Sequence, residues 1–412
     1  MTALNDCDTP LQAALISAEA AREQLMAAAV AVKQTESVSL VEALNRVLAE
    51  PLKSSMNVPP ASNSSMDGYA VSSADTSELN EMPVSQRIPA GTAGTRLQTG
   101  TAARIFTGAP IPDGADAVVM QEDVETTQAG IRFSGPITSR SNVRMAGEDI
   151  LAGSTILDAG KLLRPQELGL AASIGAGKLQ VYRRLKVAIL VTGDELLSPG
   201  EPLAAGQIYD ANRYTLSGLL QQLNCEVVSL PVVRDDPVAT RDALLKASAE
   251  ADLIVSSGGV SVGEEDYVRL ALQELGKLEL WRIAIKPGKP LAYGEINQVP
   301  FIGLPGNPVS VFVTFCWLVA PFIKLMQGQT WAPPVPIRVN AAFEWPAAGI
   351  RREYVRARME LQDDLPVVTI YPNQGSGVLS SACWANGLVE IPEHETVQPG
   401  DHVKFWYFET LL

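Results

Sequence analysis

Three loops in the middle of this 412-residue chain have the composition to cradle a phosphate. They are Thr192-Gly193-Asp194-Glu195-Leu196, then Ser257-Gly258-Gly259-Val260-Ser261-Val262-Gly263, and Pro305-Gly306-Asn307-Pro308-Val309-Ser310. Glycines and small hydroxyl residues let backbone N–H groups approach an anion, and the helix that comes next favours negative charge at its start. One such loop alone is more often a tight strand–helix connection. Three in one stretch favour a ligand, with Gly258, Gly259, Ser261 and the loop Pro305, Gly306, Asn307, Pro308 as its holders. Carboxylates stand beside them: Glu195, Asp235 in Arg234-Asp235-Asp236-Pro237, and Asp266 after Glu264-Glu265. Asp235 and Asp236 could equally cap the helix that Pro237 begins, and Asp266 could be an acid of the next helix's first turn. Carboxylates beside a phosphate make sense when a hard cation such as Mg²⁺ bridges the two, and Glu195, Asp235 and Asp266 are the candidate ligands. Lys286-Pro287-Gly288-Lys289-Pro290 offers the local positive charge that an acidic protein needs to hold an anion.

The surrounding pattern explains what positions these loops. Apolar runs at 187–191, 226–233, 253–256 and 301–303 alternate with helical patterns at 211–223, 237–249, 266–275 and 309–326. Such alternation predicts parallel strands with crossover helices, a doubly wound α/β domain over 185–328 whose ligands sit at the strands' carboxyl ends. Before it, 11–32 reads as an Ala-rich helix, and 39–49 as a second helix with Ser39 and Glu42 spaced as a capping box. Short β-type runs punctuated by Gly, Pro and Asp predict a β-rich insert domain over 58–140. Residues 1–57 and 141–184 are expected to form one discontinuous helical and mixed domain. A Pro-rich linker at 332–336 leads to alternating segments that predict a β-barrel-like C-terminal domain over 329–412. The fold class is thus multi-domain, α+β and α/β.

Bulk composition narrows the function. The net charge of -14 argues against nucleic acid or an anionic membrane as partner. Four scattered cysteines without a CxxC suit unpaired thiols in a reducing compartment. The two histidines, His394 and His402, both fall near the end, so a zinc site or histidine triad in the main body is not expected. The first residues lack the basic start of a signal peptide, and the greasy stretch 309–323 is too short to span a bilayer. A cytoplasmic protein is expected.

Further segments complete a pattern: Ser65-Met66-Asp67-Gly68-Tyr69-Ala70, Thr107-Gly108-Ala109-Pro110 and Gly147-Glu148-Asp149. Together with the three loops and the Lys-Pro-Gly-Lys-Pro segment, their order and spacing resemble the molybdopterin molybdenumtransferase family, the MoeA type also found as the gephyrin E domain. The resemblance covers nearly the whole chain. It implies an enzyme that joins adenylyl-molybdopterin and molybdate into molybdenum cofactor, releasing AMP in a Mg²⁺-dependent step. It implies a homodimer in which the insert of one subunit faces the α/β domain of the other. It also implies transient contact with the molybdopterin adenylyltransferase and with molybdoenzyme maturation proteins. Carried over position by position, the catalytic set is Asp67, Thr107, Asp149, Glu195, Asp235 and Asp266. Arg144, Arg282, Lys286, Lys289 and, in the C-terminal domain, Ser376 join the ligand-binding set.

The chain also departs from that pattern. Ala61-Ser62 stands where relatives carry Phe-Asp, Met145 and Ala146 replace further arginines, and Arg282 replaces a lysine, turning a point donor into a fork. Two other readings compete. The adenylyltransferase that makes the substrate shares the Ser-Gly-Gly and Pro-Gly-Asn-Pro loops but lacks the Asp67 and Thr107 segments. A non-catalytic pterin-binding scaffold would not need the retained acids, and turnover separates it from an enzyme.

Overall fold

The computed structural model describes residues 15–259 and 267–412. The chain divides into two compact units, one built mainly from residues 181–412 together with 15–36, the other from 48–180 and 37–44.

In the first unit the strand Lys186–Val191 sits inside a six-stranded sheet. Its sequence Val187-Ala188-Ile189-Leu190 is apolar at every position, and all four residues are fully buried. That is the signature of a parallel strand covered on both faces. Val187 and Ile189 pack with Leu216, Leu219 and Leu220 of helix Asn212–Gln222. Ala188 and Leu190 pack on the other side with Leu244 of Pro237–Glu250 and Leu272 of Tyr267–Leu275. The strand order is Glu226–Ser229, Lys186–Val191, Leu253–Ser257, Val299–Leu304, Pro290–Ile296, Gly276–Arg282. The first four run parallel, as the alternation predicts. The last two do not: Pro290–Ile296 is antiparallel to both of its neighbours, so the sheet is mixed. A hairpin needs no crossover helix, so helix–strand alternation could not announce these two strands.

The apolar run after Asn307 forms one buried rod, Pro308–Thr314, a π-helical turn Phe315–Val319 and Ala320–Met326. It is long and apolar enough to cross a membrane, yet 83% of its most apolar window is buried inside the protein. Pro321 has no N–H to return to the preceding turn, and the ladder widens into π geometry just ahead of it. Helix Ala18–Ala28 lays Ala21 and Leu25 into the same core, and Val32 N–H donates to Met326 C=O at 2.9 Å.

The C-terminal strands Ile337–Ala341, Arg352–Gln362, Leu365–Ile370, Gly387–Ile391 and His402–Tyr407 close into a five-stranded barrel, because Arg352–Gln362 pairs with both Leu365–Ile370 and Gly387–Ile391. Val339, Val355, Val368, Val389 and Phe405 fill it. The short strand Ile285–Lys286 runs parallel to Arg352 and Glu353 and fastens the α/β domain to the barrel.

The second unit is β-rich. Val84–Ile88, Ala102–Ile105, Gly68–Val71 and Ala117–Met120 form one sheet; Glu81–Met82, Ile131–Phe133 and Val124–Thr126 form another. Its helix Pro165–Ser173 begins in a capping box made by Arg164 and Glu167. The helix expected over 39–49 is absent. Ser39 ends a strand, Thr35–Ser39, and the chain then enters a turn. The capping contacts do form, Ser39 N–H to Glu42 Oε2 at 3.1 Å and Glu42 N–H to Ser39 Oγ at 3.4 Å, but Asn45 adopts φ +59 and ends the coil after one turn.

Candidate functional site

The loops after Leu253–Ser257 and Val299–Leu304 leave the sheet on its carboxyl edge and form two sides of a cleft of about 580 Å³. Gly258 and Gly259 line one side, Pro305, Gly306 and Asn307 the next. Gly258 N–H donates to Leu304 C=O at 3.1 Å, which ties the two loops at their base. Gly259 has φ +66, and a Cβ there would lie 2.5 Å from Val268 Cγ2, so only glycine fits. Ser261 and Asp266 lie outside the described residues.

A third side is the Lys286–Pro290 segment. Gly288 has φ +111, and a side chain there would collide with Thr314 Oγ1. Lys286 is not a free cation: its Nζ lies 3.1 Å from Glu353 Oε2, a carboxylate only 7% exposed. Lys289 and Arg351 have no carboxylate partner among the described residues. Arg351 comes from the barrel, steadied by a bond of 3.1 Å from Nη1 to Ile285 C=O. The barrel also brings Gln374, Gly375 and Ser376. Ser376 C=O accepts from Val309 N–H at 2.9 Å, and Gln374 is locked to the Arg356 backbone at both ends of its amide. Beneath that loop the fully buried Arg356 donates to Ser381 Oγ at 3.0 Å and Gly375 C=O at 3.2 Å. Burial pushes its guanidinium down to about 10.

Arg351, Gln374 and Arg356 escaped sequence reasoning, because only barrel closure brings them under the α/β loops. Of the residues that reasoning did name, Arg282 pairs with Pro290 in the edge hairpin and Pro308 begins the buried rod. Neither is among the described residues lining the cleft.

The acids gather at the neighbouring strand ends. Asp194 N–H donates to Asp235 Oδ2 at 3.2 Å and Asp235 N–H to Asp194 Oδ1 at 3.3 Å, so the loops after Lys186–Val191 and Glu226–Ser229 hold each other. Glu195 folds its carboxylate back over Gly193 and remains exposed. The choice between cap and ligand is split between neighbours. Asp236 caps the helix by accepting from Ala239 N–H at 2.8 Å, and Asp235 is left for other work. Among the described residues no group of three or more His, Cys, Asp or Glu converges as a metal cage.

The remaining named residues belong to the second unit. Asp67 Oδ1 accepts from both the N–H and the hydroxyl of Thr107, each at 2.8 Å. These bonds, the backbone one first, hold the Asp67 carboxyl below its ordinary value. Phe106, next to Thr107, is flanked by Arg87 and Arg104, each 4.6 Å from its ring centre. Arg144 lies on the two-residue strand that pairs with Asn63–Ser64, and Asp149 is exposed, its N–H bonded to Val58 C=O at 3.0 Å.

A glycine-looped α/β sheet and a five-stranded barrel that share a cleft lined by Lys286, Lys289 and Arg351 define a multi-domain α/β class of protein, and comparison with known proteins narrows it to a family. Residues 188–325 match the family described as a probable molybdopterin binding domain. Residues 16–175 match the MoeA N-terminal region, domains I and II, and 338–408 the MoeA C-terminal region, domain IV. The chain belongs to the MoeA family. It is 40% identical over 383 residues to the molybdopterin molybdenumtransferase of Haemophilus influenzae, covering 90% of this chain and 95% of that one. It is 39% identical to the molybdopterin molybdenumtransferase of a Nostoc species, over 88% and 86% of the two chains. The crystal structure of the molybdopterin biosynthesis MoeA protein from Pyrococcus horikoshii OT3 superposes with a TM-score of 0.82 at 30% identity, covering 95% of this chain and 99% of that one.

Proposed function

We propose that the protein is a molybdopterin molybdenumtransferase that takes adenylyl-molybdopterin and molybdate, releases AMP and yields molybdenum-loaded molybdopterin. The observation that carries this reading is the cleft itself. In a chain of net charge -14, Lys289 and Arg351 carry positive charge with no carboxylate partner among the described residues at one wall, while glycine loops offer backbone donors at another. An oxyanion and a phosphoanhydride are both negatively charged, and each wall suits one of them.

In this reading the Gly258–Gly259 and Pro305–Asn307 backbones hold the pterin phosphate and adenylate, and Lys286, Lys289, Arg351 and Ser376 hold molybdate. The substrate's two dithiolene sulfurs displace two molybdate oxygens, which take up protons and leave as water, and water attacks the phosphoanhydride to release AMP. The protein contributes position and charge neutralisation, so no side-chain nucleophile is needed. Mg²⁺ fits the donors present, because it takes one or two carboxylates and completes its shell with phosphate oxygens and water rather than a protein cage. Glu195 and Asp235, with Asp266, would hold it, and when bound it would neutralise phosphate charge. We assign Asp67, Thr107, Arg144 and Asp149 to the same reaction on the opposite face of the site, supplied by the second subunit of a homodimer. A cytoplasmic location and substrate delivery by the adenylyltransferase belong to the same proposal.

The test is molybdate-dependent AMP release from adenylyl-molybdopterin. Glu195→Gln and Asp235→Asn should each lower the rate at saturating substrate by about 10²-fold or more. Unchanged rates in both would rule out the carboxylates' part, and binding without any turnover would favour a scaffold.

A further inference from the structure

Asn212 opens helix Asn212–Gln222 below the strand-end loops and has no role in the proposed reaction. Its Nδ2 donates to Gly306 C=O at 2.7 Å and to Ser257 Oγ at 2.8 Å. A carbonyl can only accept, so the amide nitrogen must face Gly306. Ser257 Oγ in turn lies 3.5 Å from Pro305 C=O. One side chain therefore joins the two glycine-bearing loops that form adjoining sides of the cleft.

The helix start that carries this amide is itself braced. Asp210, 2% exposed, accepts from Arg213 N–H and pairs with Arg213 Nε, both at 3.0 Å, and Arg213 Nη1 donates to Leu230 C=O. Asn212 Oδ1 is buried with no donor against it among the described residues. The donor end of the amide is what ties the two loops together. Its effect on the cleft is dictated by peptide geometry. The Gly306–Asn307 bond is trans, so drawing Gly306 C=O toward Asn212 turns Asn307 N–H the opposite way. That N–H donates to no group among the described residues, and Asn307 lines the cleft.

We propose that Asn212 is a positioning residue that sets the 257–259 and 305–307 loops so that their backbone donors face the nucleotide phosphate, leaving the molybdate wall of Lys289 and Arg351 untouched. The inference rests on the proposed molybdenum-transfer reaction. The experiment titrates AMP alone and molybdate alone into the full-length protein by calorimetry, for wild type, Asn212→Ala and Asn212→Asp, with thermal unfolding of each. Asn212→Ala should weaken AMP about tenfold and Asn212→Asp more, because a carboxylate would face the Gly306 carbonyl, while molybdate affinity stays within about twofold. In turnover, KM for adenylyl-molybdopterin should rise and that for molybdate hold. Equal weakening of both ligands, unchanged AMP affinity, or a wild type that binds no AMP overturns the proposal. Should Asn212→Asp fail to fold, Asn212→Ala decides alone. A wild type that binds AMP yet releases none from adenylyl-molybdopterin overturns the proposed reaction, and the AMP titration still decides the part played by Asn212.

Discussion

Thr107 spends both of its donors on Asp67, and they hold the carboxyl below its ordinary value. Replacing Thr107 by Val removes the hydroxyl and keeps the backbone donor. The Asp67 carboxyl should then rise toward its ordinary value, and the acid limb of the pH–rate profile should move to higher pH. An unmoved limb would separate Asp67 from the titration. Gly259 makes the converse point about backbone. Gly259→Ala meets Val268 in a left-handed conformation and should cost about 1–3 kcal/mol of stability in a denaturant melt, with loss of ligand affinity alongside. Part of this level was readable in advance: Gly258, Gly259, Lys286 and Lys289 line the cleft as their types suggested. What stayed hidden was pairing, such as Lys286 spending part of its charge on Glu353, a partner 67 residues away.

Two neighbouring acids separate element from site. Asp236 caps the helix Pro237–Glu250, so Asp236→Ala should cost about 1 kcal/mol of stability and little activity. Asp235→Asn should do the reverse; if both variants lose activity equally, the division of labour is wrong. In the second unit, Glu167 ties the start of Pro165–Ser173 to Arg164. The Arg164 side-chain bonds, at 2.6 and 3.1 Å, hold its carboxyl down to about 2 from 4.5. A depressed carboxyl stabilises the fold above its unfolded value and loses that contribution as pH falls through the folded one. Glu167→Gln should therefore be less stable than wild type at neutral pH, with the gap closing between pH 4.5 and about 2. Parallel strands and their helices were legible because each carries its own periodicity. The hairpin Gly276–Arg282 with Pro290–Ile296 was not, although Lys277-Leu278-Glu279-Leu280 alternates, because Pro287, Gly288 and Pro290 read as loop. The Ser39–Glu42 box misled in the other direction: local capping chemistry is present, but nothing behind it carries a helix forward.

At the scale of the molecule, the proposed homodimer can be tested without a structure of it. If each site takes Asp67 from one subunit and Glu195 from the other, a mixture of Asp67→Asn and Glu195→Gln chains should regain roughly a quarter of wild-type activity through mixed dimers, each with one intact site. No recovery after co-refolding would mean that the two acids do not meet in one site across a subunit interface. The barrel's share of the cleft was the least legible feature of the sequence. It depends on strand closure and on Ser376 C=O reaching Val309, contacts that no local pattern encodes.

Helix Ala18–Ala28 has one more consequence. Its buried face belongs to a core whose other members, such as Phe322 and Ile323, lie about 300 residues further on. During synthesis at about 5–20 residues per second, that helix leaves the ribosome tens of seconds before its partners exist. The segment must therefore wait unpaired, and the cleft gains its last wall only when residues 374–376 emerge. A nascent or prematurely terminated chain that lacks this wall should bind ligand more weakly than the full-length protein.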